Sequence, residues 1–185
     1  MKFWIVAALC AAVASLAGYQ VELRRIPSAI MTRTEGVIAN AAGGFNAMRH
    51  AALPDHTSRN VVRPSPDQFY SACAYDLQRG PVVFEGAVPE DTYWSLSFFA
   101  HNTDNYFVAN DRDLAGEAFR FVLVAKGDAA PEGVGEPQIV RSPSRTGVVL
   151  QRIFVDSWEK AAALDAQRKK TACRPWDGPA PLDKE

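Results

Sequence analysis

The pattern of apolar and polar positions divides the chain into segments of different period. No charged residue interrupts Phe3–Gly18, and through Val21 the run reaches the roughly 20 residues a tilted helix needs to cross a bilayer's hydrocarbon core. Further on, Ile30, Met31, Thr34, Val37, Ile38 and Ala41 recur at three- and four-residue spacing. That spacing predicts a second helix with one apolar face, stopped by Gly43-Gly44. Phe45 to Asn60 has no regular period and reads as irregular, with a turn at Pro54-Asp55. From Val61 onward the period becomes two. Phe69, Ser71, Cys73 and Tyr75 alternate with Tyr70, Ala72 and Ala74, while Trp94, Leu96 and Phe98 alternate with Ser95 and Ser97. Further strands are predicted at Val82–Phe84, Tyr106–Val108, Phe119–Val124, Gln138–Arg141 and Val148–Val155.

Short strands separated by clusters of Gly, Pro, Asn and Asp predict a mainly β domain, an antiparallel β-sandwich or jelly-roll-like fold, over about Asn40 to Val155. The run Asp76-Leu-Gln-Arg-Gly80-Pro81 supplies a turn between two strands. Asp156-Ser-Trp-Glu159 has the form of a capping box with Asp156 in the cap position, opening a C-terminal helix over about Ser157 to Lys170. The basic residues Arg168, Lys169 and Lys170 suit the negative end of that helix's dipole. The expected organisation is an anchor or signal peptide over 1–23, a single β-rich domain over 24–175 and a disordered tail over 176–185.

The chain has 185 residues, enough for one domain with a sizeable core. Its formal net charge of -1 gives no reason to expect a nucleic-acid partner. The N-terminal segment has two readings. An uncleaved helix would hold the domain in the inner membrane, facing the periplasm, whereas cleavage near Ser15 to Gly18 would release a soluble periplasmic protein. Leu9 before Cys10 argues against a lipid anchor. Cys73 and Cys173 are then the remaining pair, compatible with one disulfide in an exported protein or with two buried thiols.

Local catalytic signatures fail one by one. His50, His56 and His101 form no zinc pattern, so no metal or other cofactor is expected. A calcium loop opening at Asp111-Arg-Asp113 has Val122 where a bidentate Glu belongs. No Gly-x-Ser-x-Gly elbow occurs, and Gly133-Val-Gly135 lacks the context of a dinucleotide loop. What remains is a set of polar residues at strand ends, of which Arg63, Asp67, Tyr70, Asp104 and Arg152 are the candidates for a ligand site. Arg152 shares a strand face with Leu150, so its guanidinium needs either a carboxylate or an anionic ligand. Asp67, Asp76 and Asp104 are the carboxylates in prospect. The five candidates are expected to converge at one end of the sandwich.

The segments Val61-Val-Arg-Pro-Ser-Pro-Asp-Gln-Phe-Tyr-Ser71, Tyr75-Asp-Leu-Gln-Arg-Gly-Pro-Val82, Tyr93-Trp-Ser-Leu-Ser97 and Asn102-Thr-Asp-Asn105 together resemble the bacterial domain-of-unknown-function 1254 family. Ser142 to Arg152 resembles that family's closing strand, which carries an Arg. The resemblance implies a predominantly β protein, exported or membrane-anchored, with no established general activity. It also implies that longer relatives carry a second, 1214-type β domain, which a separate partner chain would supply here. Two functions stay open. One is a non-catalytic binding or assembly module of the cell envelope. The other is an enzyme acting on a small polar or carboxylated compound, with Arg63 or Arg152 as anion anchor and Asp67 or Asp104 as acid/base.

Overall fold

The computed structural model describes residues 2–58, 64–114, 118–135 and 138–178. One helix, α1 (Lys2–Ala42), runs without a break through both N-terminal apolar segments and through Pro27. Gly43 and Gly44, both at positive φ, end it, as their backbone freedom allows. Its first part is apolar and long enough to cross a membrane by composition, and none of that window is buried against the protein. The last turns behave differently. Met31, Glu35 and Ala39 are buried at four-residue spacing, and the helix there packs against the sheet.

The chain then forms β1 (Met48–His50), β2 (Gln68–Asp76), β3 (Val82–Ala87), β4 (Trp94–Ala100), β5 (Asn105–Asn110), β6 (Ala118–Ala125), β7 (Ile139–Ser142) and β8 (Thr146–Phe154). These are followed by α2 (Trp158–Arg168) and β9 (Ala172–Pro175). The strands build a five-stranded sheet ordered β1-β2-β8-β4-β5 and a four-stranded sheet ordered β7-β6-β3-β9. The expected mainly β, sandwich-like fold with a helix at each end is therefore present. Among the described residues its one departure from antiparallel pairing is β6 beside β7.

Alternation decides what fills the space between the sheets. Tyr75 from β2, Trp94, Leu96 and Phe98 from β4, Phe84 from β3 and Leu123 from β6 are all fully buried. Phe98 meets Phe84, Phe107 and Phe121 edge-on at centroid distances of 5.2, 5.4 and 6.3 Å. Cys73 of β2 and Cys173 of β9 are joined by a disulfide, so the thiol alternative is replaced by a covalent link between the two sheets.

Several local expectations are corrected. The Asp76–Pro81 turn does join two strands, β2 and β3, but they belong to different sheets and the turn carries the chain across the sandwich. Asp76, a carboxylate in prospect for Arg152, instead closes this turn, accepting from the Gln78 amide at 2.8 Å. Met48–His50 is a short edge strand within the segment read as irregular, and Ala172–Pro175 pairs with β3 just before the proposed tail. The cap of α2 is Ser157, whose side chain accepts from the Glu159 amide. Asp156 instead pairs with Lys160 one turn on, at 2.8 Å.

Candidate functional site

Inward alternation on β8 sends Val149, Gln151 and Ile153 to the core, so Leu150 and Arg152 face outward. Arg152 lies opposite Tyr70 of β2 and opposite Ser95 of β4 in the register of the five-stranded sheet. Its Nη2 donates to Ser97 Oγ at 3.3 Å. Its Nε is buried and has no hydrogen-bond acceptor among the described residues. Ser95 and Ser97 are almost wholly buried although they point away from the core. Tyr93 covers part of this row, its hydroxyl donating to Ser95 Oγ at 2.9 Å.

Beside the row lies a shallow open hollow of about 410 Å³, lined by Tyr93, Ser95, Val108, Asn110, Asp111 and Arg112. Its acidic wall is held by the backbone, with the Trp94 amide donating to Asp111 Oδ1 at 3.4 Å. Among the described residues no carboxylate forms an ion pair with Arg152. A half-buried guanidinium with one neutral hydroxyl partner retains donor capacity, and an anionic oxygen pair is the group that matches it.

The structure places the sequence-derived candidates as follows. Arg63 lies outside the described residues. Tyr70 and Arg152 are brought side by side, with the Tyr70 hydroxyl donating to Gln68 Oε1 at 3.1 Å and accepting from the Ser65 amide at 3.3 Å. Asp67 is exposed just before β2, at the same end of the sheet, and its carbonyl accepts from the Val155 amide at 2.7 Å. Asp104 is elsewhere. It follows Ala100, which pairs with Gly147 at the far end of β8, so the expected single convergence is corrected. Its carboxylate takes a bond from the Asn102 side chain at 2.6 Å, closing the local turn.

That far end holds a second polar centre that sequence reasoning missed. His101 Nδ1 lies 3.0 Å from Oε1 of the buried Glu35 of α1 and 3.2 Å from Thr146 Oγ1. Thr103, two residues on, has a φ of 73°, unfavourable for a β-branched side chain. Below it, Tyr75 Oη bonds Ser142 Oγ at 2.9 Å and Tyr106 Oη at 3.2 Å. Burial pushes both tyrosine hydroxyls above their ordinary range, so they act as neutral structural donors. Nothing local in the sequence signals the Glu35–His101 pair, whose members are 66 positions apart. Ser95 and Ser97 were legible as an outward polar pair but carried no sign of a partner. Among the described residues no three His, Cys, Asp or Glu side chains are grouped to hold a metal ion.

Residues 45–175 match the model of the protein family of unknown function DUF1254. The chain belongs to the DUF1254 family. No curated protein matches it. Among solved structures, the VPA0106 protein of Vibrio parahaemolyticus superposes with a TM-score of 0.55 at 18% identity, over 66% of this DUF1254 chain and 32% of that protein. An uncharacterised protein from Burkholderia cenocepacia gives a TM-score of 0.44 at 19% identity, over 92% and 44% of the respective chains. The chain thus spans about a third and under half of the lengths of these two proteins. The first likeness shows a shared fold and carries no function with it.

Proposed function

We propose that this protein is a membrane-tethered binding module of the cell envelope, held by α1 on the periplasmic face of the inner membrane, which receives an anionic group of its partner at Arg152. The observation that carries this reading is the Arg152 guanidinium itself. It is half-buried on an outward sheet face, and among the described residues it bonds only Ser97 and leaves its Nε unpartnered, beside an open hollow. The tether is supported by the unburied apolar window of α1, continuous with turns docked on the domain. The Cys73–Cys173 disulfide supports an oxidising compartment.

Pull-down of the full chain from detergent-solubilised membranes, comparing wild type with Arg152→Met, tests it. A stoichiometric partner captured by wild type and lost with Arg152→Met is the expected result. The same partner captured by both proteins would remove Arg152 from the site. Recovery of a soluble periplasmic protein beginning near Gly18 would end the tether.

One feature favours the enzymatic alternative, an acid/base reaction on a small polar or carboxylated compound. Glu35 contacts Nδ1 of the partly exposed His101, whose Nε2 makes no bond among the described residues, an arrangement suited to proton transfer. Turnover in a metabolite screen, abolished by His101→Asn and indifferent to Arg152→Met, would select that reading instead.

A further inference from the structure

The outward side of α1 carries a repeat that runs through the apolar window and on past it, and that the domain does not cover. Leu9, Leu16, Leu23, Ile30 and Val37 recur every seven residues, and each is between 45% and 64% exposed. Three positions after successive members come Ala12, Tyr19 and Ile26, again apolar, with Ile5 preceding them in the same phase. A seven-residue apolar repeat is the signature of helices wound around one another with a left-handed supercoil. At 3.6 residues per turn, Leu23, Ile26, Ile30 and Val37 fall within an arc of about 60°, roughly 150° around the helix from Met31, Glu35 and Ala39. The helix therefore docks on its own domain with one side and leaves the repeat uncovered on the other.

We propose that a second copy of this chain covers that stripe, so that α1 forms a parallel two-helix stalk running from the membrane to the domain. Lipid does not suffice as the cover. The charge-free run ends at Val21, and Arg24 and Arg25 mark the level where polar headgroups would begin, yet the repeat continues through Leu23, Ile30 and Val37. A second copy inserted from the same side presents the same residues at the same depth. Side chains of this size at about half exposure offer on the order of 100 Å² each, so eight of them approach the ~800 Å² per partner of a standard stable interface. Arg33 occupies the place after Ile30 where the stripe would otherwise be apolar. Two such cations facing each other weaken the pair, and the stalk is reversible for that reason. The part before Val21 rests on the membrane-tether reading, whereas the part from Leu23 to Val37 does not.

Cysteine crosslinking of the full chain in native membranes tests the proposal. In a Cys10→Ser background, Leu16→Cys and Ile30→Cys place thiols on the stripe, and Ala14→Cys and Thr32→Cys place them off it. Under mild copper-phenanthroline oxidation the stripe positions should form dimers about tenfold faster than the others, because only they bring Cβ atoms to the roughly 3.5–4.5 Å a disulfide spans. Two differently tagged copies, co-expressed, should appear together in the product. Arg33→Leu should raise the dimer yield of Ile30→Cys. Equal crosslinking at all four positions, none at any, or a crosslinked species lacking the second tag would overturn the inference. If the N-terminal segment is instead cleaved, the Leu16 and Ala14 thiols disappear with it, and the Ile30 and Thr32 pair still reports on the stalk.

Discussion

Arg152 and Arg168 show how differently one side chain type is used within this fold. Arg168 of α2 is 2% exposed, and its Nη1 donates to Tyr70 O at 3.1 Å and Ser71 Oγ at 3.0 Å. Its Nη2 donates to Ala51 O at 2.6 Å, its Nε bonds Asp165, and its guanidinium lies 4.5 Å from the Phe69 ring centroid. It fastens α2 to β2 and to the segment after β1. Arg168→Met removes the donor to the Ala51 carbonyl and one of the donors to the Tyr70 carbonyl and Asp165, which keep the Ala51 amide and Lys169. It also empties a buried site, and the expected loss is about 3 kcal/mol. In a domain of this size that lowers the melting temperature by roughly 6–12 °C. Arg152→Met should change the melting temperature far less, since the group it removes has a single, neutral partner among the described residues, as should Asp67→Ala at an exposed position. Comparing the three melting curves separates a structural arginine from a receiving one. Sequence reasoning gave Arg168 only the role of a helix-end cation, because nothing in its neighbourhood reveals that the α2 C-terminus turns back onto β2. Arg152 was legible, because strand alternation alone puts it beside Leu150.

His50, next to this network, makes a pH-dependent contribution. Burial, aided by the nearby Arg168 and Lys169 charges and opposed by Asp165, holds its pKa below the ordinary 6.5. The unfolded chain therefore takes up the proton first as the pH falls. His50 contributes stability fully above pH 6.5, and that contribution declines below 6.5 until the lower folded value is passed. Urea midpoints should fall as the pH drops from about 7 towards 5, and His50→Gln should flatten the decline.

At the scale of elements, the period-two runs were the readable part, and the elements missed were those without room to show a period. β1 (Met-Arg-His) and β9 (Ala-Cys-Arg-Pro) are short and hold no β-branched or aromatic residue, unlike the equally short runs that were read, and pairing with β2 and β3 makes them strands. α1 was read as two pieces because Pro27 and the charges around it divide the pattern, yet the helix passes through. Its docked end depends on Glu35. Removing the partner in His101→Ala leaves a carboxylate that must stay buried alone or leave, and leaving is the cheaper course. Hydrogen exchange should then quicken in residues 31–42 while the core strands keep their protection. Gly147 is a second dependence between elements. A Cβ there would lie 2.3 Å from Tyr75 Oη and 2.2 Å from Phe99 O, both in tightly packed strands. Gly147→Ala should fail to give a cooperatively melting domain.

At the scale of the whole molecule, the fold class was written in the sequence and the composition of the site only in part. Tyr70 and Arg152 meet because strand pairing puts them in register. Asp104 does not join them, since where a turn lies along a sheet depends on how strands are offset, which periodicity does not encode. The Cys73–Cys173 bond encloses 100 positions of sequence, and closing so long a loop restricts the unfolded chain by as much as about 4.7 kcal/mol in the chain-entropy account. The Cys73→Ser, Cys173→Ser double variant should lose roughly 2–5 kcal/mol of stability, read as a fall in the urea midpoint. Reductant should produce the same fall in wild type and none in the variant.

The order in which the strands are made adds a temporal consequence. β8, at the centre of its sheet, pairs with β2 from Gln68↔Phe154 to Asp76↔Thr146, and β3 completes its pairing with β9, among the last described residues. A chain emerging from the ribosome has neither sheet closed until β8 and β9 have been made. Topologies dominated by such distant pairings fold in milliseconds to seconds. α1 is therefore complete, and free to find contacts of its own, well before the sandwich behind it can close.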